Sequence, residues 1–494
     1  MNGSHAGPII GAMFAKATLV GVVFMLLMAG CGDAGLTHPL SSGGNTVVSS
    51  GGHAVEVAVR AGSPMALTAP INGSNLDYSG VAEDFAAPGV ITDLQDYRGG
   101  TIRYPGGAIA NYWNWQSGSV NQPATTSGTG KSKPGRVRDY GFTLQTLRGI
   151  VGETGAIPVF DLNLLTSTLS NQLLMLHTAQ SMGIPVRYIE LGNEFYLNTS
   201  SYLKRFPTAA SYVRTVVQWA PAIRAAFPDA QIAAVGSLPQ STAREKSWNS
   251  TLLLVAGADI NAVTLHDYFS PLGKDPTPAQ VLAAAQTSWR STQQVMAAIP
   301  SRYRIWFTEF NLSLQGLSGG EPPRGTTWLH GLYVAETMSL FDQSPRVQLD
   351  DYWDLFGTSS TGAFTSGPAP QPTVAGEALM LLTNASVQAN RVTPLSFSTA
   401  TSLPGGAAGV TGVSFDGPNG TRTVLINLTD QAVTMPAGKG TGLSAGASTV
   451  SVSGAPTTTV SGLSHATGLL GSTITLPAYA IVGVGFTGPT AAKT

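Results

Sequence analysis

The sequence predicts an α/β protein, a (β/α)8 TIM barrel followed by a C-terminal all-β sandwich. Three observations carry that expectation. Between residues 65 and 385, eight short apolar runs alternate with longer stretches of helical period, as a parallel sheet with crossover helices requires. After residue 385 the composition changes: the last 110 residues hold six Asp, Glu, Lys or Arg side chains, are rich in Gly, Ser and Thr, and carry strand-like runs at 423–428 and 479–486. Unusual polar residues also stand just after five of the eight apolar runs, positions that a barrel gathers on one face.

The elements follow in chain order. An apolar stretch at 17–29, with Lys16 before it and Gly30-Cys31 after it, has the form of a secretory h-region ending at small residues. The run Leu27-Met28-Ala29-Gly30-Cys31 resembles a bacterial lipoprotein box, so residues 1–31 are expected to be a signal peptide and Cys31 the lipidated residue. The mature protein is then expected on the periplasmic or cell-surface face of a bacterial membrane. Cys31 is the one cysteine, which excludes an internal disulfide and a thiolate metal site. Residues 32–52, rich in Gly, Ser and Thr, read as a flexible tether, and 53–64 as a strand joining the sandwich.

The barrel is expected over 65–385, with strands at 65–71, 101–104, 157–162, 186–191, 231–235, 260–265, 303–307 and 347–356. Helices are expected at 206–227, 280–299 and 327–341; the first has Pro207 near its start, the apolar stripe Val213, Val216, Val217, Ala220, and Pro221 within it. The sandwich fills 386–494. Charged residues are 11% of the chain, against roughly 25% for an average soluble protein, and the net charge is −1. No basic domain stands out, which argues against a nucleic-acid partner.

The polar residues after the runs define the chemistry. The second run ends in Arg103-Tyr104-Pro105-Gly106-Gly107 and leads to Trp113 and Trp115; the third ends in Asp161-Leu162-Asn163; the fourth in Leu191-Gly192-Asn193-Glu194; the sixth in His266-Asp267-Tyr268; the seventh in Thr308-Glu309. Two carboxylates at the ends of the fourth and seventh strands would face each other across a barrel mouth, as glycosidase chemistry needs. Asn193 is placed to meet a sugar 2-hydroxyl, and His266 and Tyr268 to orient Glu309. Trp113, Trp115 and Trp353 offer rings for stacking on sugars or for packing. Arg103 reads either as a structural ion-pair partner or as a group that orients Glu309, and Asp161 and Asn163 either as sugar ligands or as strand-end hydrogen-bond formers. No His/Asp/Glu group has metal spacing, so neither metal nor other cofactor is expected.

Gly192-Asn193-Glu194 after the fourth strand, with Glu309 after the seventh, resembles the retaining (β/α)8 glycosidases of clan A. Within that clan, the stretch from Phe160-Asp161-Leu162-Asn163 to Tyr188-Ile189-Glu190-Leu191-Gly192-Asn193-Glu194, with His266 and the late Pro372-Thr373-Val374-Ala375-Gly376-Glu377 segment, is most similar to glycoside hydrolase family 79, the heparanases and β-glucuronidases. The resemblance implies Glu194 as acid/base, Glu309 as nucleophile, and a β-linked glycan substrate, with a glucuronide or another uronate preferred. Two features depart from it. Asp267 stands where heparanase-type members have a second histidine, and the Arg103–Gly107 segment is more like arabinofuranosidases and xylosidases of the same clan. An arabinofuranoside, xyloside or glucoside is therefore the alternative substrate, and a catalytically silent glycan-binding lipoprotein the alternative class. Lys131, Lys133, Arg136 and Arg138, four cations in eight residues, are read as either a contact for acidic glycans or a solvated loop.

Overall fold

In a computed structural model, the described residues are 54–486 apart from 77–93, 95–96, 123–124, 127–131, 134, 239–240, 258, 271–274, 358–359, 367–369, 399–400, 439–440 and 442. The signal peptide, Cys31, the tether and Lys131 lie outside them. Among the described residues, no helix is long and apolar enough to cross a membrane.

Eight parallel strands close a barrel: β1 (Gly73–Asn75), β2 (Thr101–Tyr104), β3 (Ile157–Asp161), β4 (Tyr188–Glu190), β5 (Gln231–Val235), β6 (Ala262–Phe269), β7 (Arg304–Leu312) and β8 (Val347–Tyr352), with β8 pairing back to β1. Helices α1 (Leu144–Thr154), α2 (Leu169–Ser181), α3 (Ala209–Ala226), α4 (Ala243–Val255), α5 (Pro278–Ala297), α6 (Trp328–Asp342) and α7 (Val374–Ser386) follow strands β2 to β8 in turn. Thr208, Thr242 and Thr277 cap α3, α4 and α5 through reciprocal side-chain and backbone bonds, satisfying amides that helix starts leave free. Pro221 lies inside α3.

The first strand departs from the sequence reading. The apolar run at 65–71 is not a barrel strand: Met65–Ala66 pairs instead with Arg391–Phe397 of the sandwich. The barrel strand is the polar Gly73-Ser74-Asn75, three residues that are fully buried. Asn75 turns into the barrel, to Arg103 and the Thr308 carbonyl, while Ser74 on the opposite face accepts the Tyr97 hydroxyl. Apolar character was no guide there because this strand faces a polar interior.

The sandwich joins one large sheet, built on Arg391–Phe397, Val410–Gly417, Gly420–Asn427, Ala480–Val484, Ser448–Ser453 and Ser464–Leu469, to a three-stranded sheet of Val55–Glu56, Val433–Pro436 and Thr473–Leu476. Val57, Leu395, Leu425, Val433, Met435 and Leu476 fill the space between them. Val59–Ala61 extends the large sheet beside Arg391–Phe397.

The period-2 alternation of the barrel strands sets the height of the site. Val159, Tyr188, Ala233, Ala262, Trp306 and Leu349 form a buried apolar plug. Two residues further along three of the same strands stand Asp161, Glu190 and Asp351, buried polar groups in a second layer. The plug closes the barrel below; the polar layer opens towards the strand C-termini, the face where barrel active sites lie.

Candidate active site

Arg103 of β2 sits at the centre of the polar layer, fully buried. Its Nε donates to Glu190 Oε2 at 2.6 Å, Nη1 to Glu309 Oε1 at 2.8 Å and Asn75 Oδ1 at 3.0 Å, and Nη2 to Asp161 Oδ2 and Asn193 Oδ1, each at 2.8 Å. A guanidinium has five N–H donors, and all five are used. The two readings of Arg103 therefore merge: it is an ion-pair hub and it orients Glu309. One cation facing three buried carboxyls leaves excess negative charge, and burial pushes Asp161 well above its ordinary value although the Arg103 charge opposes this.

A register irregularity in β7 between Phe307 and Phe310 spans Thr308 and Glu309, and both side chains reach the interior, as bulges permit. Glu309 Oε1 is held by Arg103 and Oε2 accepts the Tyr268 hydroxyl at 2.7 Å. His266 Nδ1 lies 3.3 Å from the same Oε2 and 3.0 Å from Glu194 Oε1. His266 and Tyr268 alternate inward on β6, while Asp267 between them turns outward to the Ser288 and Thr292 hydroxyls of α5. Asp267 thus does structural work at the position where the resembling family carries a histidine.

The protonation of His266 follows from its neighbours. Thr308 Oγ1 donates its one proton to Glu190 Oε1 at 3.0 Å, so the Nε2–H of His266, 3.1 Å away, donates to Thr308. Nδ1 then faces two carboxylates. Burial lowers the basicity of His266, but the Glu309 charge and the hydrogen bond to Glu194 outweigh it, and its pKa rises above the ordinary value.

Glu194 follows β4 in a sharp turn. Gly192 (φ 89°) and Glu194 (φ 51°) both occupy the left-handed region, which costs a non-glycine residue energy and so reflects a constraint. A Cβ on Gly192 would stand 2.2 Å from the Phe195 ring. Asn111 clamps the residue between them, donating to the Asn193 carbonyl at 2.8 Å and accepting from its amide at 3.2 Å. Asn193 Nδ2 is buried without a hydrogen-bond partner among the described residues. Burial works to raise the Glu194 pKa, yet the hydrogen bonds from His266 and Tyr196 and the His266 charge bring it below the ordinary carboxylate value. Burial pushes Glu309 the other way, upward, against the His266 and Arg103 charges.

Glu194, His266 and Glu309 offer atoms that all lie within 4.8 Å of one another. A divalent ion could use such a set; as it stands, His266 Nδ1 lies at hydrogen-bond length from both carboxylates. The sequence had given no metal-spacing signal for this set, because its members come from three separate strand ends.

The remaining predicted residues divide. Asp161 is in the cluster. Asn163 is not: its amide bonds the Trp113 carbonyl and Thr166, and it ties two loops together. Trp113 is a packing residue, 4% exposed, edge-on to Tyr104 at 6.2 Å with its Nε1 donating to the Tyr104 hydroxyl. It has no open face for a sugar. Trp115 is also buried and bonds Asn171. Trp353 is half-buried just past β8. Arg136 and Arg138 lie on the strand Arg136–Asp139, which pairs with Ser119–Gln122, and Arg138 rests over the Tyr140 ring at 4.9 Å. Glu190, Asn75, Asn111, Thr308 and Tyr196 were not anticipated. Glu190 had a readable signal, a charge in the middle of an apolar run.

No protein-family model matches the sequence, and no curated protein sequence matches it. Solved structures do. The chain is similar to a family 51 alpha-L-arabinofuranosidase from Bifidobacterium longum (TM-score 0.68, 15% identity, 87% of this chain and 99% of that one). It is similar to an alpha-L-arabinofuranosidase from Thermotoga maritima in complex with arabinose (TM-score 0.64, 15% identity, 87% and 99%). A third likeness is to a 4-O-alpha-L-rhamnosyl-beta-D-glucuronidase from Fusarium oxysporum (TM-score 0.58, 17% identity, 87% and 99%). At 15–17% identity the likeness is one of fold: barrel and sandwich together match these arabinofuranosidases and this glucuronidase over 87% of the chain.

Proposed function

We propose that the protein is a retaining glycoside hydrolase, with Glu309 as nucleophile and Glu194 as acid/base. One observation carries the reading: the two carboxyl groups approach within 4.8 Å at the barrel mouth. Retaining enzymes hold theirs about 5 Å apart, whereas inverting enzymes need roughly 6.5–9.5 Å to admit water. The roles follow from how each is held. Glu309 has donors on both oxygens and is nearly buried, which fixes it for attack on an anomeric carbon. Glu194 keeps 20% of its side chain exposed, so it can take a proton from the attacking water in the second step.

In the first step Glu194 gives its proton to the glycosidic oxygen as that bond breaks and the Glu309 oxygen bonds to the anomeric carbon. In the second, Glu194 takes a proton from water, whose oxygen displaces Glu309. Asn193 Nδ2 is the free donor beside Glu194 and suits a sugar 2-hydroxyl. The ligand-free site holds Glu194 anionic; a bound sugar excludes the water around it, and desolvation raises a carboxyl towards its acid form.

A β-glucuronide or another uronate is the preferred substrate, supported by the family 79 resemblance, the basic loop up to Arg138 and the likeness to a glucuronidase. An arabinofuranoside is the second reading, supported by the higher TM-scores to arabinofuranosidases. A nitrophenyl-glycoside panel spanning glucuronide, galacturonide, xyloside, glucoside and arabinofuranoside separates them. On the substrate that turns over, Glu309→Ala should abolish activity, and azide should restore part of it with a glycosyl azide of inverted configuration. Full activity in this variant would end the assignment. The expected lipid on Cys31 has its own check: Cys31→Ser should lose labelling by radioactive palmitate and leave the membrane fraction, and retention there would refute the anchor.

A further inference from the structure

Two donors meet on one oxygen of Glu194. The Tyr196 hydroxyl lies 2.9 Å and His266 Nδ1 3.0 Å from Oε1. Glu194 Oε2 accepts no hydrogen bond among the described residues, and it belongs to the 20% exposed side chain. The carboxyl is therefore gripped on one side and open on the other.

The placement of Tyr196 is built, not incidental. The positive φ at Glu194 turns the chain so that residue 196 folds back over the carboxyl, and the Leu197 amide closes the turn on the Glu194 carbonyl at 2.9 Å. Arg244, on α4, then locks the segment from outside. Its Nε donates to the Tyr196 carbonyl at 3.0 Å, its Nη2 to the Phe195 and Phe206 carbonyls at 2.7 Å each, and its Nη1 to the Pro207 carbonyl at 2.8 Å. The Arg244 guanidinium stacks on Trp248 at 4.8 Å, and the Trp248 ring meets the Tyr196 ring edge-on. Tyr196 is 2% exposed, and among the described residues its hydroxyl bonds only Glu194.

The geometry points to Tyr196 as a positioning residue for proton transfer: with His266 it holds Glu194 Oε1, so that Oε2 faces the glycosidic oxygen and carries the proton. This inference rests on the glycosidase reading above. Its chemistry balances within that cycle, since the proton leaving Oε2 for the departing oxygen is replaced from the water that frees the sugar from Glu309. The Tyr196 proton is not consumed; burial and the Glu194 charge keep its own pKa well above the ordinary phenol value, so it remains a donor.

Tyr196→Phe removes the hydroxyl and keeps the ring. A hydrogen bond to a charged group contributes about 1.5–3 kcal/mol, so its loss should raise the basic limb of the kcat/KM pH profile by about one to two units. A carboxyl free to rotate should also protonate a poor leaving group more slowly. We expect kcat/KM for a methyl or other alkyl glycoside to fall roughly ten- to a hundredfold, while kcat/KM for a 2,4-dinitrophenyl glycoside, whose first step needs no protonation, keeps its wild-type value. An equal loss on both substrates with an unmoved pH profile would make Tyr196 a packing residue and overturn the inference, as would no change at all. Glu194→Ala distinguishes the two levels of the argument: if that variant still hydrolyses the alkyl glycoside, the acid/base assignment itself is wrong, whatever Tyr196 does.

Discussion

At the scale of single residues, Arg103 is where structure and chemistry meet. Its five donors join Glu190, Asp161, Glu309, Asn193 and Asn75, groups from β1, β3, β4 and the loop after it, and β7. Lysine keeps the charge but has three donors and no planar fork, so Arg103→Lys must leave at least two of these acceptors unserved. Each lost bond to a charged or buried group costs about 1.5–3 kcal/mol, and the variant should be destabilised by at least about 3 kcal/mol in urea unfolding, with kcat/KM reduced as Glu309 loses its anchor. A variant as stable as wild type would show that the cluster repacks around an ammonium. The same scale explains why the tryptophans stayed open between stacking and packing in the sequence. Trp113 and Trp115 follow a strand end just as Glu194 does, and sequence position cannot tell a ring that faces the mouth from one that packs on Tyr104.

At the scale of elements, legibility followed the contrast between a residue and its neighbours. Seven of the eight barrel strands coincide with apolar runs because their outward residues pack under helices, and the polar groups ending five of the runs marked the site. Strand β1 was missed because Gly73-Ser74-Asn75 carries no apolar side chain and gives Asn75 to the polar layer, while Met65–Ala66, at the start of the apolar 65–71 stretch, pairs with the sandwich instead. The pair Glu194 and Glu309 was legible from strand order alone. What holds the pair was not: the β7 irregularity that turns Thr308 and Glu309 inward, the left-handed turn at Glu194, and the clamps by Asn111 and Arg244 all depend on residues distant in sequence. Spacing reports which strand ends converge. It does not report how far a bulge rotates a side chain.

At the scale of the whole molecule, barrel and sandwich meet across α6, and a buried acid lies in that contact. Glu336 is fully buried; its Oε2 accepts the Thr411 hydroxyl of the sandwich strand Val410–Gly417. Burial pushes its carboxyl up to about 7, more than the hydrogen bonds from Thr411 and Gln286 lower it. Asp351, inside the barrel, is raised to about 7 for the same reason. The folded pKa exceeds the unfolded one, so the contribution to stability is complete below the unfolded value of about 4.3 and is lost as pH rises to 7. Above that, the folded state must hold a buried charge that the unfolded chain carries in water, a cost of about 4 kcal/mol per group. Wild type should therefore lose stability between pH 5 and pH 8. Glu336→Gln, which has no charge to bury, should match wild type at pH 5 and exceed it at pH 8, read as the urea midpoint at each pH. Asp351 remains in that variant, so part of the decline should persist. If both proteins decline equally, the domain contact does not titrate there, and the loss belongs to the barrel interior alone.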